Sequence, residues 1–284
     1  MSYAYHRPRS LDEALGLVAE VPGARFIGGG TDLLVQMNGG DPPPALISLR
    51  DVPELDGVED GERLRIGAAV PFTDIAAHQA VRTRLPALVD SIRVIGSPQI
   101  RNVATLGGNL CNASPGADAA PPLLVYGTAV ELRGPAGVRE MPLDEFFTGP
   151  GATAKAPDEI LVSVLVDPQP EGARTIFLRK GRVKMDIAIA SVAVQIETDG
   201  AVVSCCRIAA GAVAPVPMRL PGTEAVVAGS ALDDTVVALA RARAREEVAP
   251  ITDVRATARY RTRLVGVYVQ RALEGFRDPG GSAP

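Results

Sequence analysis

Two glycine-rich segments contain the residue types that can bind phosphate. The first reads IGGGTD (residues 27–32) and the second reads TLGGN (residues 105–109), and each follows a short apolar segment. Consecutive glycines permit a positive φ and keep side chains away from backbone N–H groups, which can then converge on an anion. Neither loop has Rossmann or Walker spacing, and a tight turn after a strand would also explain each of them. Alone, they indicate a nucleotide or phosphate binder and suit a pyrophosphate better than a single phosphate.

Metal chemistry is disfavoured by composition. The chain has three cysteines and two histidines, too few for a four-thiolate site or a histidine-based centre. The odd cysteine count implies no disulfide framework. We expect Cys111 to be a packing residue, and Cys205 and Cys206 point to opposite sides of a predicted strand. The sequence therefore predicts no metal site, and any redox chemistry would use an organic cofactor.

Length, charge and hydropathy bound the remaining classes. The 284 residues suggest two domains, and 46% apolar against 22% charged residues is typical of a globular chain. A net charge of −4 argues against a nucleic-acid surface. We see neither a signal segment nor an apolar run long enough to span a membrane, and therefore expect a cytoplasmic protein.

Elements that position the two loops follow from apolar periodicity. SLDEALGLVAE (residues 10–20) has a capping box at Ser10 and Glu13 and predicts a helix. The segment ARFI predicts a strand leading into the first glycines, and further strands are expected at 46–49, 64–70 and 159–166. Thr73 is the predicted N-cap of a helix carrying His78, and a longer helix is expected at 85–95.

The second half of the sequence predicts a different arrangement of strands and helices. Residues 167–173 predict a linker, which gives domains at 1–172 and 173–284. Two strand-like segments flank Asp199-Gly200, a hairpin signal, and helices follow. Strands precede helices in each half without a βαβ alternation, so the pattern predicts an α+β fold.

The motifs together resemble a known family. GGGTDLL, followed later by RNVATLGGNLCNASPGAD, is similar to the FAD-binding medium subunit of molybdenum hydroxylases, the xanthine dehydrogenase and carbon monoxide dehydrogenase type. GRVKMDIAIASVAV, CCRIAAGAVAPVPMR and DVRATARYRTRLVGVYVQRAL resemble the family's C-terminal flavoprotein domain. The likeness covers nearly the whole chain in order.

This resemblance implies a fold, a cofactor and partners. An FAD-binding domain of two α/β subdomains would precede a C-terminal α+β domain with an antiparallel sheet and helices. The partners would be a small subunit with [2Fe–2S] clusters and a large molybdopterin subunit, in a dimer of heterotrimers. Electrons would pass from the clusters to the FAD of this chain and then to NAD⁺, oxygen, a quinone or another acceptor.

The resemblance also implies roles for single residues. Residues 28–32 correspond to a first pyrophosphate loop, and 105–109 to a second loop that closes over the cofactor. Ile95 would pack near adenine and ribose, Asp118 would bind a ribose hydroxyl or orient a loop, and Leu161 would contact the flavin ring. The implied cofactor-binding residues, none of them catalytic, are Gly28, Gly29, Gly30, Thr31, Asp32, Ile95, Thr105, Gly107, Gly108, Asn109, Asp118, Leu161 and Lys180.

One position is ambiguous within the resemblance. The family has a lysine before the D-I-A motif, where a cation stabilises negative charge on reduced flavin. This chain has Arg179-Lys180 there, and either residue could serve. Two other functions stay open: a self-contained FAD oxidoreductase such as an enolpyruvyl reductase, and a flavin-free scaffold.

Overall fold

The computed structural model describes residues 3–277, which begin with a small parallel sheet. Its three strands have the order β1-β3-β2 and lie beside two helices. The elements are β1 (Ala4–His6), α1 (Leu11–Glu20), β2 (Arg25–Ile27), α2 (Leu33–Met37) and β3 (Ala45–Ser48). Strands and helices alternate here, so the prediction of no βαβ alternation is wrong for this region. The three-residue strand β1 is too short to give a period in the sequence.

The predicted capping box is confirmed at α1. Ser10 Oγ accepts a hydrogen bond from the Glu13 N–H at 3.2 Å. Glu13 returns a bond, since its Oε2 accepts from the Arg9 N–H at 2.7 Å. The first bond satisfies an amide that the first helical turn leaves free, and the second binds the amide of the residue before the N-cap Ser10.

A five-stranded antiparallel sheet with helices forms the second subdomain. A 3₁₀ turn at Pro53–Leu55 precedes it, and its strand order is β4-β5-β10-β6-β7. Strands β8 and β9 form a separate pair. The strands are β4 (Val58–Asp60), β5 (Leu64–Gly67), β6 (Thr128–Gly134), β7 (Gly137–Pro142), β8 (Phe147–Gly149), β9 (Ala152–Thr153) and β10 (Ile160–Val166). Between and beside them lie α3 (Phe72–Ala77), α4 (Gln79–Arg84), α5 (Pro86–Arg93), α6 (Pro98–Arg101), α7 (Leu106–Asn112), α8 (Ala120–Val125) and α9 (Leu143–Phe146).

The central strand β10 is buried, and the N-terminus of α3 differs from the prediction. Every residue of β10 is buried, as expected for a strand covered on both faces. The predicted cap at Thr73 is wrong, because Pro71 precedes α3 and the Thr73 hydroxyl donates to Asn102 Oδ1 at 2.7 Å. His78 lies in the break between α3 and α4.

The C-terminal region is a four-stranded antiparallel sheet with three helices. Its order is β11-β12-β13-β14, and β12 and β13 form the predicted hairpin around Asp199-Gly200. The elements are β11 (Arg174–Lys180), β12 (Ala190–Asp199), β13 (Val202–Gly211), β14 (Met218–Arg219), α10 (Pro221–Val227), α11 (Asp234–Glu246) and α12 (Ala258–Arg277).

The second subdomain and the C-terminal sheet pack against each other. Helix α8 is fully buried and contacts β12 and β13. Tyr126 lies at this junction, where its hydroxyl accepts from the Ala87 N–H at 3.0 Å and is 3.1 Å from Thr175 Oγ1. The packing fixes the start of β11 against α5 and α8.

Candidate functional site

The first glycine loop connects β2 to α2 and lies against the second loop. A Cβ on Gly28 would stand 2.8 Å from Thr105 Oγ1, and one on Gly29 would overlap the carbonyl oxygen of Val103. Gly30 has φ +72°, a left-handed conformation that favours glycine. The three glycines therefore allow close approach of two backbones as well as a turn.

The backbone carbonyls and the backbone amides of this first loop differ in their hydrogen bonds. The Leu34 N–H donates to the Gly30 carbonyl and the Gln36 N–H to the Asp32 carbonyl, and these bonds form the start of α2. Within residues 3–277, no acceptor receives a hydrogen bond from the N–H groups of residues 28–32. Burial raises the pKa of the neighbouring Asp32 carboxyl. A row of unpaired N–H groups can bind an anion, as predicted for this loop.

The second loop uses its amides internally. Thr105 caps α7, because its Oγ1 accepts from the Gly108 N–H at 3.1 Å. The Gly107 N–H donates to the Ala68 carbonyl at 2.9 Å and the Asn109 N–H to the Thr105 carbonyl at 3.0 Å. The expectation that both loops direct their amides at phosphate is therefore wrong for these three residues. Gly107 instead allows packing, since a Cβ there would lie 2.6 Å from the Ala68 Cβ.

Two adjoining cavities meet at these loops, and we call them the first and second lobes. They measure about 350 and about 320 Å³, each within the ~300–1,000 Å³ of ligand pockets. The first lobe extends to the C-terminal region at residues 185–187, and the second lies beside β10. Residues that line both lobes are Arg25, Phe26, Gly28, Thr105, Gly108 and Cys111.

Nearly all of the predicted cofactor-binding residues come together around the lobes. Those lining the first lobe are Gly28, Gly29, Gly30, Thr31, Asp32, Ile95, Thr105, Gly108, Asn109 and Asp118. Gly107 and Leu161 line the second lobe. Lys180 lines neither and is exposed at the end of β11. Ile95 and Leu161 lie in different lobes, so they face different parts of any bound molecule.

Arg179 lines the first lobe where Lys180 does not. Its Nε donates to Asp118 Oδ2 at 2.8 Å, and both side chains are nearly buried, with 8% and 6% exposed. A further N–H of Arg179 donates to the Asp186 carbonyl. Adjacent residues of a strand point to opposite faces, so only one of Arg179 and Lys180 can face the lobe. The sequence could not show which one, because that depends on how β11 is placed.

The floor of the first lobe holds polar atoms without protein partners. Within the described residues, Asn109 Oδ1 and Asp118 Oδ1 are buried and unbonded. Burial raises the pKa of Asp118 to about 6, against the opposing charge and hydrogen bond of Arg179. Since buried polar atoms are rarely left unpaired, these two atoms fit a polar ligand in the lobe.

The second lobe contains functional groups that sequence reasoning missed. Lys155 Nζ donates to the carbonyls of Ala156 at 2.8 Å and Glu159 at 2.9 Å, and lies 6.0 Å from the Phe26 ring centroid. Burial lowers the pKa of Lys155 and raises that of Cys111 to about 11. The loop before β10 has no motif spacing that could have indicated this lysine. An inert, protonated thiol agrees with the predicted packing role of Cys111.

These features define a class of protein that binds an extended, anionic nucleotide cofactor. The free amides provide an anion site, and the two lobes leave room on both sides of it. Within residues 3–277, no cluster of three or more His, Cys, Asp or Glu side chains is arranged to hold a metal ion. None of the helices in the same range has the length and apolarity needed to cross a membrane.

Comparison with known proteins identifies the family. A family model described as the FAD binding domain in molybdopterin dehydrogenase matches residues 1–169. A second, described as the CO dehydrogenase flavoprotein C-terminal domain, matches residues 177–276. The chain therefore belongs to the FAD-binding subunits of molybdenum hydroxylase-type dehydrogenases, which are oxidoreductases.

Individual relatives are similar over almost their full length. The xanthine dehydrogenase FAD-binding subunit of Escherichia coli O157:H7 is 35% identical, with 98% of this chain and 97% of that protein covered. The carbon monoxide dehydrogenase medium chain of Hydrogenophaga pseudoflava is 33% identical, covering 95% and 96%. A solved carbon monoxide dehydrogenase structure from Hydrogenophaga pseudoflava matches with a TM-score of 0.93 at 33% identity, covering 96% of each chain. The predicted fold is confirmed.

Proposed function

We propose that this chain is the electron-transfer subunit of a heteromeric molybdenum-containing dehydrogenase. It would hold FAD between a small [2Fe–2S] subunit and a large molybdopterin subunit, in a cytoplasmic dimer of heterotrimers. The relatives' names, FAD-binding subunit and medium chain, support a place among other subunits. The observation that carries the proposal is the free-amide loop between two lobes. Bound FAD would supply one chemistry, acceptance of single electrons and their release in pairs.

The lobes suggest which residues hold each part of the cofactor. The free N–H groups of residues 28–32 suit the pyrophosphate. Asn109, Asp118 and Arg179 offer polar groups to the isoalloxazine end in the first lobe. The second lobe, with Leu161 and Phe26, suits adenine. This proposal exchanges the roles that the family resemblance implied for Ile95 and Leu161.

Arg179 has two tasks in this proposal. Its guanidinium holds Asp118 in place through the 2.8 Å bond. Its positive charge, within the lobe that we assign to isoalloxazine, would favour the negatively charged reduced state of the ring. We assign this role to Arg179 in place of Lys180, because only Arg179 lines the lobe.

The division of the chain at residue 172 belongs to the same proposal. A new sheet begins at Arg174, and the two family matches end at 169 and begin at 177. The three free cysteines suit a reducing compartment.

Reconstitution tests the function. The purified chain is mixed with FAD, separated from free cofactor, and examined by absorption spectroscopy. We expect flavin bands to remain with the chain, and co-expression with a cysteine-rich small chain and a large chain to give one assembly. Absence of flavin bands would overturn the proposal, and an assembly without flavin would indicate a scaffold. Rapid reduction of the bound flavin by NADH would favour an NAD-linked enzyme.

A further inference from the structure

The cationic side chains around the two lobes differ in their hydrogen-bond partners. Within residues 3–277, the cationic side chains that line the lobes are Arg25, Lys155 and Arg179. Arg179 pairs with Asp118, and Lys155 donates to two carbonyls. No acceptor within the described residues receives a hydrogen bond from the Arg25 side chain. An unpaired guanidinium is thus available at the site.

Arg25 occupies the boundary between the lobes. It lines both of them, together with Gly28 and Thr105. It begins β2, where it is paired with Leu46 of β3, so a strand fixes its backbone. Three residues later the chain enters the loop whose amides are free.

The ligand chemistry at this boundary calls for a positive charge. A dinucleotide pyrophosphate carries two negative charges, and the loop offers it N–H dipoles beside the Asp32 carboxyl. Dipoles are partial charges, whereas a guanidinium is a full charge with a planar fork of donors that matches phosphate oxygens. Arg179 lines only the first lobe and Lys155 only the second, so neither lies at the boundary that Arg25 occupies.

We propose that Arg25 is the residue that neutralises the cofactor pyrophosphate and so sets the affinity for the dinucleotide. The inference rests on the proposed placement of FAD across the two lobes. In this arrangement the amides of residues 28–32 orient the phosphates, and Arg25 neutralises their negative charge.

The test compares a phosphate-bearing probe with its nucleoside. ADP and adenosine are each used to displace FAD from the cofactor-loaded chain, followed by flavin fluorescence. In Arg25→Gln we expect ADP and FAD to bind about 10- to 100-fold more weakly, the range for a lost charged hydrogen bond. Adenosine binding should change less than twofold. Arg25→Lys should recover part of the loss, because it keeps the charge without the fork.

Controls separate charge from folding and from general electrostatics. Arg82→Gln removes an exposed cation of α4 that lines neither lobe, and should bind all three ligands as the parent does. Raised salt should weaken ADP binding more in the parent than in Arg25→Gln. Thermal unfolding of each variant reports its folding, and Arg25→Lys tests the charge should Arg25→Gln lose stability.

Different failures have different meanings. Equal ADP affinity in the parent and Arg25→Gln would overturn the role of Arg25 and leave the proposed function standing. Equal losses for ADP and adenosine would also overturn it, since the guanidinium would then contact the nucleoside. A parent chain that binds no FAD would overturn the proposed function itself.

Discussion

The two glycine loops look alike in sequence and differ in what their backbones do. Among the residues that the structure describes, the amides of residues 28–32 in the first loop have no acceptor, whereas the second loop donates those of residues 107–109 to the chain itself. The first can therefore receive an anion, and the second fixes the wall against which the first packs. Glycine content shows where backbones come close, and hydrogen-bond partners decide which of them can bind a ligand.

The largest expected effect comes from adding a side chain to the first loop. Gly29→Ala places a Cβ into the Val103 carbonyl, and the two loops would have to separate. We expect a loss of more than ~3 kcal/mol in the free energy of unfolding, at the upper end of overpacking costs, and loss of FAD binding. Chemical denaturation and FAD titration measure both.

The matched control is Gly16→Ala at an exposed position of α1, where a Cβ meets nothing within 4 Å. It should stabilise the chain by about 0.5–1 kcal/mol. Equal stability of the Gly29 and Gly16 variants would contradict the close packing of the loops.

A second prediction uses the titrating carboxyl of Asp118, which lines the first lobe. The pKa of Asp118 is about 6 in the folded chain and about 3.9 in an unfolded chain. Between these pH values the folded state retains a proton that the unfolded state releases, so stability falls as pH rises. Relative to Asp118→Asn, the cofactor-free parent should lose about 2 kcal/mol between pH 4 and pH 7.

Denaturation curves at several pH values give this difference. The Asn variant has no titrating group at this position, so it lacks the pH dependence that the Asp118 proton and its charge pair with Arg179 give the parent. A difference that stays constant over pH 4–7 would mean that the carboxyl is not desolvated.

Packing in the second loop predicts a smaller effect. Gly107→Ala brings a Cβ to 2.6 Å from the Ala68 Cβ, and we expect a loss of about 2 kcal/mol in unfolding free energy. FAD affinity of the folded fraction should change less than in the Gly29 variant, because the Gly107 N–H is bonded to Ala68. A Gly107 variant of full stability that fails to bind FAD would show that its amide contacts the cofactor.

The smallest effect is expected at the cap of α7. Thr105→Val keeps the shape but removes the acceptor for the Gly108 N–H, which should cost about 1 kcal/mol. Thr105→Ser keeps the hydroxyl and should lose less. Thermal unfolding of the two variants checks this, and identical midpoints would argue against a capping role.

The sequence predicted much of this arrangement because several signals are local. The capping box at Ser10, the hairpin at Asp199-Gly200 and the glycine loops each depend on neighbouring residues. Strand β1 was missed, since three residues carry no period. Arg25 and Lys155 were also missed, because only tertiary packing brings Lys155 to the lobe that Arg25 lines. The choice of Arg179 over Lys180 likewise needed the orientation of β11.

Amide hydrogen exchange, followed residue by residue with and without FAD, tests the contrast between the loops most directly. We predict that the N–H groups of residues 28–32 exchange rapidly in the free chain and become protected when FAD is added. Those of residues 107–109 should be protected in both states, because their partners lie within the chain. Protection of residues 107–109 that appears only with FAD, with residues 28–32 unchanged, would contradict the account.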